Sequence, residues 1–424
     1  MSKVNKTENR YIKKFLYYLF FLFVQLEFIT PDYLGYTPFF SIIRILQHPL
    51  TFAAFIIYIM YLLRDKFVNG VIVFVLLFMI ITILKHGNVS IAFMNLERCF
   101  SIIVYYSFLY KIDKKLFCKC ISDYWMILIV LNTALTIMKP HGLLQFKSSF
   151  ADIDKEYFLL GVSNQVMPFY YIGITLNYIL CRNNYGSGYR LLFLFVCMWI
   201  SELIYMSMTS LIGCLMFTLG AFCFAVNIKF KVMTKKYRKK WKILTAASIF
   251  LVSLIYYLVV FARIQEKFAR IIEDVLHKNA TLSTRTIIWD EAFNMILNSF
   301  LLGYGAADNN NRYVQIQTFS FNAHNLFLQL LLMGGIVLFA CFVYILVISV
   351  SSLNKCSDNK LKGITLTLIV TFLFTSMSEV YTMNLVFIVF FIVYISKDIL
   401  KINVKDILKL NNCNIAIKIK EEQQ

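Results

Sequence analysis

The stretch "FNAHNLFLQLLLMGG" (321–335) sets a histidine and an asparagine, His324 and Asn325, at the mouth of a long apolar run. Upstream, Arg285 stands four residues before Trp289, a spacing that puts both on one face of a helix. Arginine carries a permanent charge on a planar fork of N–H donors, and histidine is the side chain that exchanges a proton near neutral pH. A fixed cation suits an anion; a titratable ring suits a proton in flight. Plainer readings stand beside these. His324 is equally an interfacial ring with its polar edge in water, Asn325 a helix cap, and Arg285 with Trp289 a cation–π pair anchoring a helix at headgroup level.

The elements that must position these groups follow from composition. The chain is 59% hydrophobic and only 15% charged, so little of its surface can face water. Apolar windows near 13–30, 49–63, 67–84, 91–110, 121–138, 157–181, 191–206, 210–227, 243–262, 323–350, 363–377 and 380–396 approach the length that crosses a bilayer. The fold class expected is all-α: a polytopic membrane protein of about 12 transmembrane helices with one long outer loop containing amphipathic helices. With the N-terminus inside, most of the 42 Lys and Arg residues fall on cytoplasmic segments, which places both termini in the cytoplasm. The domain reading is transmembrane helices 1–9 over 1–262, an extracytoplasmic loop over 263–322, helices 10–12 over 323–396 and a cytoplasmic tail over 397–424.

Composition also excludes. The formal charge of +19 has its densest run, "KFKVMTKKYRKKWK" (229–242), on a cytoplasmic loop, which fits topology and anionic lipid headgroups and not nucleic acid. The ten cysteines lie in spans or cytoplasmic segments, so no disulfide framework is implied, and "CKC" (118–120) lacks zinc-site spacing. No metal site is expected.

The loop over 263–322 is long enough to expect a function of its own. "RIQEKFARIIEDVL" (263–276) has helical amphipathic spacing, and a second helix runs through "TRTIIWDEAFNMIL" with Ser283 before it as cap. "NSFLLGYGAADNNNRY" breaks that helix, with Gly303 and Gly305 supplying backbone freedom or close approach. Gly334 and Gly335 permit close packing or a bend. At membrane depth, Glu97, Arg98 and Glu379 are costly unless they pair or face a wet cavity.

The order Arg-x3-Trp (Arg285, Trp289), "LLGYG" (301–305), "AHN" (323–325) and a helix with "GG" (334–335) resembles the shared region of the O-antigen ligase and Wzy-type polysaccharide polymerase superfamily. "LLGVSN" (159–164) looks like that family's Gly-x-x-Asn, and Glu379 sits where members often carry an acid. The resemblance implies a glycosyltransferase on the outer face of the bacterial cytoplasmic membrane. It implies no cofactor, and undecaprenyl-diphosphate-linked oligosaccharides as donor and acceptor. Membrane lipids, a chain-length regulator and a flippase are further expected partners. It implies Arg285 as a diphosphate ligand and His324 as the residue at the acceptor hydroxyl. Asn325, Trp289, Gly303, Gly305 and Glu379 are the expected substrate-binding residues around them.

The chain departs from the family in "MTSLIG", with Leu211 where members carry a second arginine. Arg263, Arg270 and Arg98 are the candidates to replace it, and the residues do not choose among them. Asp290 and Glu291 rival His324 as base. A repeat-unit polymerase is the leading expectation, with a ligase that moves finished glycan to a final acceptor as its alternative, and a flippase of lipid-linked sugars further off.

Overall fold

The computed structural model describes residues 2–86, 89–147, 154–183, 185–226, 235–267, 285–306 and 322–398. Each of the predicted apolar segments falls largely in a helix: α1 (Ser2–Phe28), α2 (Pro38–Ile57), α3 (Lys66–His86), α4 (Val89–Ile112), α5 (Lys114–Met138), α6 (Ser163–Arg182), α7 (Gly188–Tyr205), α8 (Met208–Val226) and α9 (Lys235–Tyr256). After them come α10 (Arg285–Asn298), α11 (Leu326–Leu353), α12 (Asn359–Thr375) and α13 (Met383–Ile395). Among the described residues, 6 helices combine the length and apolarity to cross a membrane, and α8 and α13 are shorter apolar helices. The protein is a helical membrane protein.

Periodicity explains the layering. α13 is apolar on every side, and all of Leu385–Val393 and Ile395 are buried. A helix without a polar face belongs at the centre of a bundle, and α13 packs against α3, α4, α11 and α12. Side-chain carboxylates and amides then fix where helices begin. Asp113, Asn325 and Asp358 each accept two backbone N–H groups at the starts of α5, α11 and α12.

Small residues set the closest crossing. α8 meets α12 through Gly213 and Gly220, and a β-carbon at Gly220 would lie 2.5 Å from Thr367 Cγ2. Lipid offers apolar groups no reason to leave it, so helices in a membrane associate where backbones can approach.

One sequence expectation needs amendment and a second is described only in part. The window 157–181 is not one helix, because a small antiparallel sheet, β1 (Leu144–Lys147), β2 (Asp154–Phe158) and β3 (Gly161–Val162), precedes α6. Gly161 has φ +133°, outside helical geometry, so the helix begins only at Ser163. The expected amphipathic helix over 263–276 shows a one-turn helix, Ile264–Lys267, and the remainder lies outside the described residues, as do Ser283, Arg270 and the asparagine run.

Gly220→Val is expected to push α8 from α12 and to destabilise the protein by about 1–3 kcal/mol, the usual cost of overpacking. Thermal unfolding in detergent should show a lower Tm, with Gly220→Ala intermediate.

Candidate functional site

α10 begins at Arg285 and buries Thr286, Ile288, Trp289, Ala292 and Ile296, the stripe expected of an amphipathic helix. Its partner is the first half of α11 with the residues just before it: Ala323, Leu328 and Leu332 join the same apolar cluster. Trp289 is 1% exposed, so its ring serves packing and not a lipid or sugar face. Its indole N–H donates to the Ala323 carbonyl at 3.1 Å, the residue directly before His324.

His324 is thereby held by backbone on both sides. Its own N–H donates to Asn322 Oδ1 at 2.8 Å, and the Ala323 N–H donates to Gln329 Oε1 at 2.9 Å. Asn325, fully buried, accepts from the N–H groups of Phe327 and Leu328, and the Leu326 N–H donates to the Ser376 carbonyl at 2.9 Å. The capping reading of Asn325 therefore describes its side-chain oxygen. His324 adopts φ +43°, a left-handed conformation uncommon for a residue with a β-carbon. Such a conformation persists where its surroundings over-determine it, as these bonds do.

Ser376 and Glu379 share the loop between α12 and α13, and Glu379 carries the next constraint. Its side chain is 2% exposed, and Oε1 accepts from Arg285 Nη2 and from Asn164 Nδ2, each at 2.5 Å. A carboxylate withdrawn this far from water requires such partners. Arg285, at 19% side-chain exposure, is less deeply buried than its partner. Three residues distant in sequence are thus joined: Asn164 at the head of α6, Arg285 at the head of α10, and Glu379 before α13. The strap carrying His324 is bonded both to α10 and to the loop of Glu379, so the histidine and the arginine are positioned by one network.

Gly303 and Gly305 have a different task. Gly335 interrupts α11 with φ +58° and ψ −162°, which removes helical partners from nearby backbone groups. The 300–305 segment supplies them: the N–H groups of Tyr304 and Gly305 donate to the carbonyls of Leu332 and Met333, and those of Ile336 and Val337 donate to Phe300 and Leu301. A broken helix at membrane depth is tolerated when its freed groups are re-satisfied in this way. Side chains are excluded on both strands, since a β-carbon on Gly303 would sit 2.5 Å from the Leu332 oxygen and one on Gly335 would overlap the Leu301 carbonyl. In this structure the Gly-Tyr-Gly turn is a backbone clasp.

The remaining arginines separate. Arg263 pairs with Asp290 and, at 3.8 Å, with Glu266, and the Asp290 hydrogen bond raises its guanidinium above the ordinary arginine value. That pairing also occupies Asp290, one of the rival bases. Arg98 lines a cavity walled partly by Val380, Tyr381 and Thr382, directly after Glu379. Asn322 and Gln329 were not singled out from sequence; neutral amides in such positions carry no signal until their hydrogen bonds are known.

The Arg285–Glu379 coupling is open to measurement. Arg285→Gln and Glu379→Gln should each lower stability, and a double-mutant cycle should return a coupling of about 2–4 kcal/mol, below the full value for a buried pair because Arg285 is partly exposed. A coupling near zero would show that the contact does not organise the site.

No curated protein matches the chain. A family model described as O-antigen ligase matches residues 193–343, a span that includes Arg285, Trp289, the Gly303–Gly305 turn, His324 and the kink at Gly335, but neither Asn164 nor Glu379. The residues that carry the resemblance in the sequence and the elements that build this site coincide within that span, and over those residues the chain is similar to the O-antigen ligase family.

Proposed function

We propose that the protein is a membrane glycosyltransferase that polymerises lipid-linked oligosaccharide repeat units, moving the growing glycan from undecaprenyl diphosphate to the next lipid-linked unit. The observation that carries this reading is the joining of Arg285, Glu379 and the His324 strap in one hydrogen-bonded network.

The chemistry follows from the residue types. A hydroxyl oxygen of the acceptor sugar attacks the donor's anomeric carbon, and the bond from that carbon to the diphosphate oxygen breaks with its electron pair leaving on the diphosphate. Negative charge grows on the leaving group, where Arg285 opposes it. Glu379 accepts from one Nη of the guanidinium, and the fork carries further N–H donors with which to bond phosphate oxygens. His324 accepts the hydroxyl proton as the new bond forms. A single in-line displacement inverts the anomeric centre. The reaction takes place at the outer face of the bacterial cytoplasmic membrane, where the diphosphate rests at headgroup depth and the polyprenyl tail in lipid, with twelve helices crossing and both termini inside.

The family description favours a second reading, a ligase that transfers finished glycan to a final acceptor. The same two groups would serve it, because the leaving group and the attacking hydroxyl are alike.

Deleting the gene and sizing the lipid-linked glycans separates the readings. Single repeat units stalled on the outer face are the expected result; long lipid-linked chains would mean ligase, and units held inside would mean a flippase. In complemented cells, Arg285→Ala should lower product formation, normalised to the membrane level of the protein, by on the order of 10²–10³-fold, as loss of a charge-stabilising donor does. His324→Ala should cost roughly 10²–10⁴-fold. Full activity in His324→Ala would move the role of base to Glu291 or Asp290.

A further inference from the structure

The residues after Glu379 wall a second space. A cavity of about 150 Å³ lies between the end of α1, the head of α6, α4 and the start of α13. It adjoins the Arg285–Glu379 pair through shared backbone: Asn164 donates to Glu379, and its neighbour Gln165 lines the cavity and donates to the Val380 carbonyl at 3.4 Å.

Two opposite charges face this space. Arg98, half-buried on α4, lies over the Phe40 ring at 5.3 Å, and among the described residues it forms no ion pair with any carboxylate. Asp32 opens the 3₁₀ turn, Asp32–Tyr36, that follows α1. Its position is tied to the sheet, because the Tyr33 N–H donates to the Leu159 carbonyl and a β-carbon at Gly161 would press on Asp32 Oδ2 at 3.3 Å. Other polar lining groups are committed to backbone: Asn384 Nδ2 donates to the Phe28 carbonyl and Thr30 Oγ1 to the Leu26 carbonyl, each at 2.9 Å. Asp32, Arg98 and Thr382 remain as the groups that can meet a ligand, with the partly buried Phe169 as an apolar wall.

This mixture selects a ligand class. A phosphate would be drawn by Arg98 but repelled by Asp32 across the same small space. Sugar hydroxyls both donate and accept, so one ring can give a hydrogen bond to the carboxylate, take one from the guanidinium and lay a face on an aromatic wall. We infer that the cavity lined by Asp32 and Arg98 is a saccharide subsite that holds the acceptor glycan beside the Arg285–Glu379 pair. Its assignment to the acceptor rests on the transferase reading; its affinity for saccharide does not.

The test uses the purified full-length chain in nanodiscs on an array of bacterial oligosaccharides. The wild-type protein is expected to bind a subset of glycans, and Asp32→Asn and Arg98→Gln each to weaken that binding about tenfold, roughly 1.4 kcal/mol. Arg182→Gln, at a residue that pairs with Asp358 and does not line the cavity, is expected to bind the same glycans unchanged. Thr382→Val, a near-isosteric change, gives a second loss of binding should either charge variant prove misfolded by its thermal unfolding. No glycan bound by the wild type, or equal binding by all variants, overturns the subsite. Displacement of bound glycan by inorganic pyrophosphate in wild type but not in Arg98→Gln would make it an anion site and overturn it as well. Failure of the transferase reading shows separately, as normal cellular glycans in Arg285→Ala, and leaves the array result standing.

Discussion

A carboxylate buried in a helical membrane protein must be paired, and the site depends on how Glu379 meets that demand. Two of its partners come from the heads of different helices, Asn164 of α6 and Arg285 of α10, so satisfying one charge brings three distant parts of the chain to one place. Removing a partner would leave the other stranded away from water, which costs far more than an exposed pair would. The same contact fixes the guanidinium that the chemistry needs. A cation that must stabilise developing charge works best when its geometry is set beforehand, and a buried counter-ion with a second hydrogen bond does that.

The second constraint is conservation of backbone hydrogen bonds where α11 breaks. Gly335 turns the helix, and the carbonyls and N–H groups it frees are taken up by residues 300–305. That clasp ties the end of α10 to the middle of α11, while Trp289 ties the start of α10 to the strap before α11. α10 is therefore fastened at both ends to the helix that His324 precedes. A 14-residue helix on the edge of a bundle becomes a rigid support for Arg285 by these two attachments.

Much of the helix order was legible because apolar length is a direct consequence of lipid as solvent, and the predicted windows fall on helices. The pattern of Arg285, Trp289, Gly303, Gly305 and His324 was legible as an ordered series, and Asn164 and Glu379 as weaker marks. Their roles divided only in three dimensions. Trp289 turned inward to pack and to bond the Ala323 carbonyl, and the glycines admitted backbone where a side chain would collide. Arg263 spent its charge on Asp290. The sheet before α6 was missed because "EYFLLGV" reads equally as the start of an apolar span, and only strand pairing with 144–147 distinguishes the two.

By itself the sequence determined that the protein is helical and membrane-embedded, since composition and run length leave lipid as the solvent for most of its surface. It also determined which ionisable residues had to find partners, because charge at membrane depth is expensive wherever it falls. Which partner each one found was decided by tertiary structure alone. Asn164, Arg285 and Glu379 meet across 215 and 94 residues of chain, and Asp32 and Arg98 come to face one cavity, through the packing of helices whose apolar faces are chemically alike. Similar faces carry little information about which helix lies beside which, so the pairing of polar groups between them cannot be read before the bundle is assembled.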